Sequence, residues 1–229
     1  MTSCAEHQYF VKGTSNQSIL DGEYAYMLPM HSNSRDFLDS CRVVHGKFEM
    51  SGPLDSVQCV VISMGNFGIP MVLESGEVHI SFQSSDTHVS GTPLNDTLYR
   101  FLYSRDSLLM LRNDIQSSSN DLLRKGYSEE YVYAYCQDAF MESDSQLDSL
   151  EYNFVRDNYT NVLGVTWFLR MGDRISRQTG YYTLTPLMEK LYNQAPEVFK
   201  KNSDISSYYQ HAVSPREEEE VYRIVFSFF

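Results

Sequence analysis

Four cysteines, Cys4, Cys41, Cys59 and Cys136, are the side chains of this sequence best suited to covalent chemistry. Thiol–disulfide exchange needs an attacking thiolate and a resolving thiol close by. No Cys-x-x-Cys occurs in the 229 residues, so the chain carries no dithiol redox motif. Cys41 and Cys59 fall on separate predicted strands, in step with Val43 and with Val57 and Val61 respectively. Two readings stand open for them: a cross-sheet disulfide in an oxidising compartment, or two small buried hydrophobes. Cys136 lies in an apolar helical stripe and reads as core. Cys4 follows Thr2 and Ser3, the small residues that precede the lipidated cysteine of a bacterial lipoprotein.

Metal chemistry is poorly supported. His7, His31, His45, His79, His88 and His211 include no pair at helical ligand spacing, and none neighbours a Cys or Asp cluster. His79 and His88 could approach across a hairpin, but His79 alternates with Val78 and Ile80, which predicts an outward-facing strand residue. The chain has no Gly-x-Ser-x-Gly elbow, no phosphate-cradling glycine loop and no zinc motif. No catalytic residue, metal ligand or cofactor is therefore expected. The Glu217–Glu220 run reads as a solvated face.

Tyrosine gives the clearest binding signal. Seventeen are present, clustered at Tyr24/Tyr26, Tyr131/Tyr133/Tyr135, Tyr181/Tyr182 and Tyr208/Tyr209. A ring with a polar tip suits an interface or a glycan or peptide platform, and equally the half-buried rim of a core. Tyr24, Tyr26, Tyr181 and Tyr182 are the candidate binding surface.

Composition limits the partners. With 18 basic against 30 acidic residues and a net charge of −12, nucleic acid is disfavoured, because phosphate binding needs clustered Lys and Arg. An anionic membrane surface is disfavoured for the same reason. No apolar run approaches a bilayer span, and no signal peptide opens the chain as given, so a membrane role would rest on a lipid anchor at Cys4.

The elements that must position these residues change character near Thr92. Before it, short apolar runs alternate with turn signals. They predict strands at Tyr9–Val11 ending at Gly13, at 22–28, at 37–44 and 47–50 around a His45-Gly46 turn, and at 57–64, which is apolar enough to be covered on both faces. Asn66-Phe67-Gly68 and Ser75-Gly76 read as turns, and 89–96 as a loop launching a helix. After it, Thr92-Pro93 reads as an N-cap and first helical residue, and Leu94, Leu98, Phe101, Leu102, Leu108 and Leu111 follow at helical spacing. A break is expected at 117–120 and a second helix from Ser128, with Val132, Tyr135, Cys136, Ala139 and Phe140 buried. Further helices are expected at 161–171, at 186–194 behind Thr185, and at 203–212. The fold class is α+β: an antiparallel, jelly-roll-like β-sandwich over 7–91, a helical region over 92–212, and a charged and apolar tail over 213–229.

Asp21-Gly-Glu-Tyr-Ala-Tyr-Met-Leu28, Val43-Val-His-Gly-Lys-Phe48, Leu73-Glu-Ser-Gly76, Ser90-Gly-Thr-Pro-Leu-Asn-Asp96 and Asn153–Gly164 occur in order along the chain. In these segments the chain resembles the N-terminal domain of unknown function that precedes the thioredoxin-like, alkyl-hydroperoxide-reductase-like domain in envelope thiol-disulfide oxidoreductases of Gram-negative anaerobes. The resemblance implies an envelope location, periplasmic or lipid-anchored, and a thiol-redox context. No catalytic residue carries over, since the Trp-Cys-x-x-Cys of such relatives has no counterpart and Trp167 has no cysteine beside it. The expected function is a non-catalytic, envelope-associated binding module whose partner is a thioredoxin-like or other envelope protein. The alternative is the accessory half of an oxidoreductase whose redox domain lies elsewhere.

Overall fold

The computed structural model describes residues 7–30, 36–83 and 86–214. The readings of Cys4, His31 and the segment from residue 215 onward lie outside the described residues. The chain forms two units, one reaching Phe154 and the other beginning at Val155.

Among the described residues of the first unit, alternating side chains build eight strands in two sheets: β1 (Gln8–Ser15), β2 (Tyr24–Pro29), β3 (Asp39–Arg42), β4 (Lys47–Pro53), β5 (Gln58–Met64), β6 (Phe67–Leu73), β7 (Gly76–Phe82) and β8 (Thr87–Ser90). The orders are β4-β1-β7-β8 in sheet A and β3-β2-β5-β6 in sheet B. The expected α+β architecture is present. One pairing departs from the antiparallel expectation: β1 lies parallel to β7 while pairing antiparallel with β4.

Local chemistry explains where the strands begin and end. His45 and Gly46, at φ 52° and 70°, make the two-residue turn that returns the chain into β4. Gly13 does not end β1 as expected. It pairs with Phe48, whose ring occupies the space a Cβ at Gly13 would need, so the glycine is a seat for an aromatic ring. The next turn is Gly65-Asn66, one position earlier than expected, which leaves Phe67 and Gly68 inside β6. Pro70 is tolerated there because β6 is an edge strand. Val89 and Ser90, expected to open a loop over 89–96, instead end strand β8.

Ala25, Met27, Val60, Ile62, Met64, Ile69 and Met71 of sheet B face Val11, Phe48, Met50, Val78, Ile80 and Val89 of sheet A, all nearly inaccessible. Each such aliphatic or aromatic side chain contributes roughly 1.5–3 kcal/mol by leaving water.

A helical hairpin follows: α1 (Pro93–Arg124) and α2 (Glu129–Asp157). The expected break at 117–120 does not occur. Ser117 instead donates its hydroxyl to the Asn113 carbonyl one turn back, a bond compatible with continued helix. Thr92 occupies the N-cap position without capping. The Glu74 carboxylate replaces it, accepting the amides of Leu94 (2.9 Å) and Asn95 (3.1 Å). The Asn95 side chain, fully buried, bonds both backbone groups of Val72: its oxygen accepts the Val72 amide at 2.8 Å and its nitrogen donates to the carbonyl at 2.7 Å. The start of α1 is thereby stitched to β6. Tyr99 adds a bond from its hydroxyl to the Pro70 carbonyl (3.0 Å), and burial pushes its phenol well above the usual range.

The hairpin seam is partly polar. Ile115, Val132 and Cys136 pack with Leu122, Ala139 and Phe140, and Phe101 stacks on Phe154 at 3.8 Å. Between them, Arg105 Nε meets Glu151 at 3.4 Å and Arg112 pairs with Asp144. Both pairs are spaced by one heptad on each helix, which fixes a single antiparallel register. Tyr135, expected in the seam, is exposed; the buried row runs through Val132, Cys136 and Ser143, and Tyr135 falls beside it.

The second unit contains α3 (Val162–Thr179), α4 (Pro186–Gln194), α5 (Glu197–Lys200) and α6 (Ser203–Val213). Asn161, Thr185 and Asn202 cap α3, α4 and α6 through their side chains. Phe168, Phe199, Met188, Leu191 and Ile205 form its core. The Tyr208 ring lies on Gly172, where a Cβ would collide, and its hydroxyl donates to the Thr183 carbonyl at 2.7 Å.

Candidate functional site

On β2, Ala25 and Met27 point into the sandwich, so Tyr24 and Tyr26 must point out. They are 52% and 38% exposed, with ring centroids 6.0 Å apart at an interplanar angle of 26°. Phe37, from the segment leading into β3, joins Tyr26 at 5.5 Å and 57° and is itself exposed, as is Leu38. Strand register sets polar neighbours around the rings. Ser40 and Ser63 stand opposite Tyr26 on either side, and Arg42 stands opposite Tyr24. Arg42 Nε donates to the Gly22 carbonyl at 3.0 Å, which holds the guanidinium alongside β2. The result is an apolar aromatic patch with hydroxyls and a cation at its margin, suited to contact rather than to proton or electron transfer.

The outer face of sheet A has a different chemistry. Lys12 bonds Glu77 at 2.8 Å and His79 approaches the same carboxylate at 3.2 Å. The Lys12 hydrogen bond holds the Glu77 carboxyl below the usual range. These groups are largely solvated, so the cluster is a water-facing surface.

The cysteines do not converge. Cys41 is in register with Ala25, which is in register with Met64, so these three share one face of sheet B. Cys59 has the opposite parity to Met64 on β5 and occupies the other face, and β2 lies between β3 and β5. Two strand spacings, about 9.6 Å, exceed the Cα separation a disulfide can bridge. Cys41, Cys59 and Cys136 are free thiols, Cys59 and Cys136 buried and Cys41 partly so. Burial, more than any other influence, pushes the Cys41 thiol above its ordinary pKa, the opposite of what a reactive thiolate needs.

His79 and His88 are diagonal neighbours on the β7–β8 hairpin and not a directly opposed pair. Their register partners across β7 and β8 are Ser90 and Ser81, and the His88 ring faces Tyr99 at 6.0 Å. Among the described residues no group of three or more His, Cys, Asp or Glu could hold a metal ion. No helix among them is long and apolar enough to cross a membrane.

Tyr181 and Tyr182 belong to the second unit. Tyr182 packs edge-on to Tyr208 at 5.5 Å and near His211 at 5.7 Å, which ties it into the fold of its own unit. Sequence reasoning put Phe37 in a strand over 37–44 and did not place it in the aromatic patch, because β3 begins only at Asp39 and the contact with Tyr26 is tertiary. Nor did it find the Glu74–Asn95 latch. Asn at the third helical position reads as an ordinary helix-start residue, and nothing local reveals that its amide faces a strand.

Residues 9–98 match the model of a domain of unknown function (DUF4369). That span runs from β1 through β8 into α1, so it contains both the aromatic patch and the latch that anchors α1. No curated protein matches the sequence.

Proposed function

We propose that this chain is a non-catalytic, envelope-associated binding module that meets its partner through the Tyr24–Tyr26–Phe37 face of sheet B. The observation that carries the reading is the exposure of three aromatic rings in a row, Tyr24 beside Tyr26 and Tyr26 beside Phe37, on the side of sheet B whose opposite face is the sandwich core. Exposed apolar clusters with a polar rim are costly to leave in water and mark contact surfaces. The free, separated and partly buried thiols support a non-catalytic role. The envelope location draws on Thr2-Ser3-Cys4 and on the resemblance to domains that precede thioredoxin-like domains, which also makes a thioredoxin-like or other envelope protein the favoured partner.

The test compares the tagged full chain with its Y24S/Y26S variant, each crosslinked in the native host, with captured proteins quantified by mass spectrometry. One envelope protein should fall at least about tenfold in the variant, at equal abundance and unchanged melting temperature. Equal capture by the two chains would remove the face from the proposal. Disulfide reduction or thiol oxidation catalysed by the purified chain would overturn the non-catalytic reading.

A further inference from the structure

We propose that the outer face of α2 is a second docking surface, fitted to a basic amphipathic segment of another protein. Helix α2 carries Glu129, Glu130, Asp138, Glu142, Asp144, Asp148, Glu151 and Asp157 against the lone Arg156, more than half of the chain's net −12. Helix α1, of similar length, balances four aspartates with four arginines. The acidity of α2 is therefore specific to one helix of the hairpin.

The placement of that charge matters more than its amount. Arg105 and Arg112 of α1 engage Glu151 and Asp144 beside the seam. Opposite the buried row of Val132, Cys136 and Ser143, the residues Tyr131, Ala134, Asp138, Met141, Ser145 and Asp148 follow at steps of three and four and are all exposed. Glu130, Tyr135 and Glu142 flank them. Met141 is 64% exposed and Tyr131 52%, so the stripe offers apolar anchors set among carboxylates.

This arrangement opposes the stability of the helix itself. Asp138 and Glu142 are a like-charge pair one turn apart, and the lone basic residue of α2, Arg156, lies near the far end of the helix, where it pairs with Asp157. A local choice that costs stability without an internal return points to use elsewhere. A partner helix bearing Lys or Arg beside an aliphatic stripe would neutralise the carboxylates and cover Tyr131 and Met141 together. Charge complementarity would speed its arrival, and the apolar anchors would retain it.

The test uses the full chain and two fluorescent synthetic peptides of identical Lys and Leu composition. One segregates its leucines on one helical face, and the other disperses them. The segregated peptide should bind at least about tenfold more tightly, with affinity falling as salt rises. Both Y131S/M141S and D138N/E142Q should weaken it at least about fivefold, whereas E23Q/E49Q, an equal charge change on the sandwich, should not. All six positions are solvent-exposed, so the variants should fold, which circular dichroism checks. Equal binding of the two peptides would reduce the effect to net charge and overturn the proposal. Unchanged binding by both α2 variants would overturn it as well.

Discussion

In the sandwich, Met27, Ile62 and Met64 are fully buried apolar side chains, whereas the hairpin buries the polar Ser143 and Glu151 and sets Arg105 and Arg112 beside its seam. The first arrangement draws its stability from area removed from water, is not weakened by electrostatic screening and tolerates little change of volume. The second gains less free energy per residue but specifies which turn of α1 lies against which turn of α2. The difference teaches where each region is vulnerable: the sandwich to cavities, the hairpin to loss of a partner charge. The surfaces follow the same division, since the sandwich presents an aromatic patch and the hairpin a charged stripe.

The comparison can be broken most severely at the sandwich core. Ile62→Ala should cost about 3 kcal/mol through lost burial and a residual cavity, read as a lower midpoint in urea unfolding followed by β-sheet circular dichroism. Asn95→Ala should cost about 2–3 kcal/mol, because the Val72 amide and carbonyl and the Glu74 carboxylate all lose a partner at a dry site. Its signature would be faster hydrogen exchange at Val72 and in the first turns of α1, with the rest of β5 and β6 less affected.

The hairpin supplies a matched pair of smaller effects. Glu151 is 1% exposed, so Arg105→Ala removes a cation from a buried carboxylate and should cost about 2 kcal/mol, seen as faster amide exchange along both helices. Arg112→Ala removes a bond to the half-exposed Asp144 and should cost less than about 1 kcal/mol, with an effect that shrinks in salt. Equal costs for the two would mean that burial does not separate them. The smallest change should come from Y24S/Y26S, within about 0.5 kcal/mol, because outward-facing rings add little to the core. A larger loss in thermal melts would make the aromatic patch a structural element.

Much of the fold was legible where one face of an element is buried. Val78, Ile80 and Phe82 alternate with Glu77 and His79 because one side of β7 is core and the other is water. Thr185-Pro186 marks the start of α4 by local capping chemistry that needs no tertiary information. The misreadings share a cause in distant contacts. Gly13 looks like a terminator until Phe48 is placed over it, and the serines at 117–119 look like a break until α2 is seen alongside. The parallel pairing of β1 with β7 joins segments more than sixty residues apart, and no local pattern encodes it. The candidate site was half legible: Tyr24 and Tyr26 follow from alternation, while Phe37 joins them only through tertiary placement.

The buried amide of Asn95 has a consequence beyond anchoring a helix. It stands where a neighbouring backbone would stand, and so occupies hydrogen-bonding positions through which β6 could recruit another chain. Across sheet B, the Ser40 amide of the other border strand is taken by the Asp39 carboxylate at 2.7 Å. The sequence thus spends side chains to end a sheet that backbone chemistry alone would leave open to polymerisation. An Asn95 variant that still folds should seed fibrils more readily than the parent, even at a temperature where both remain native.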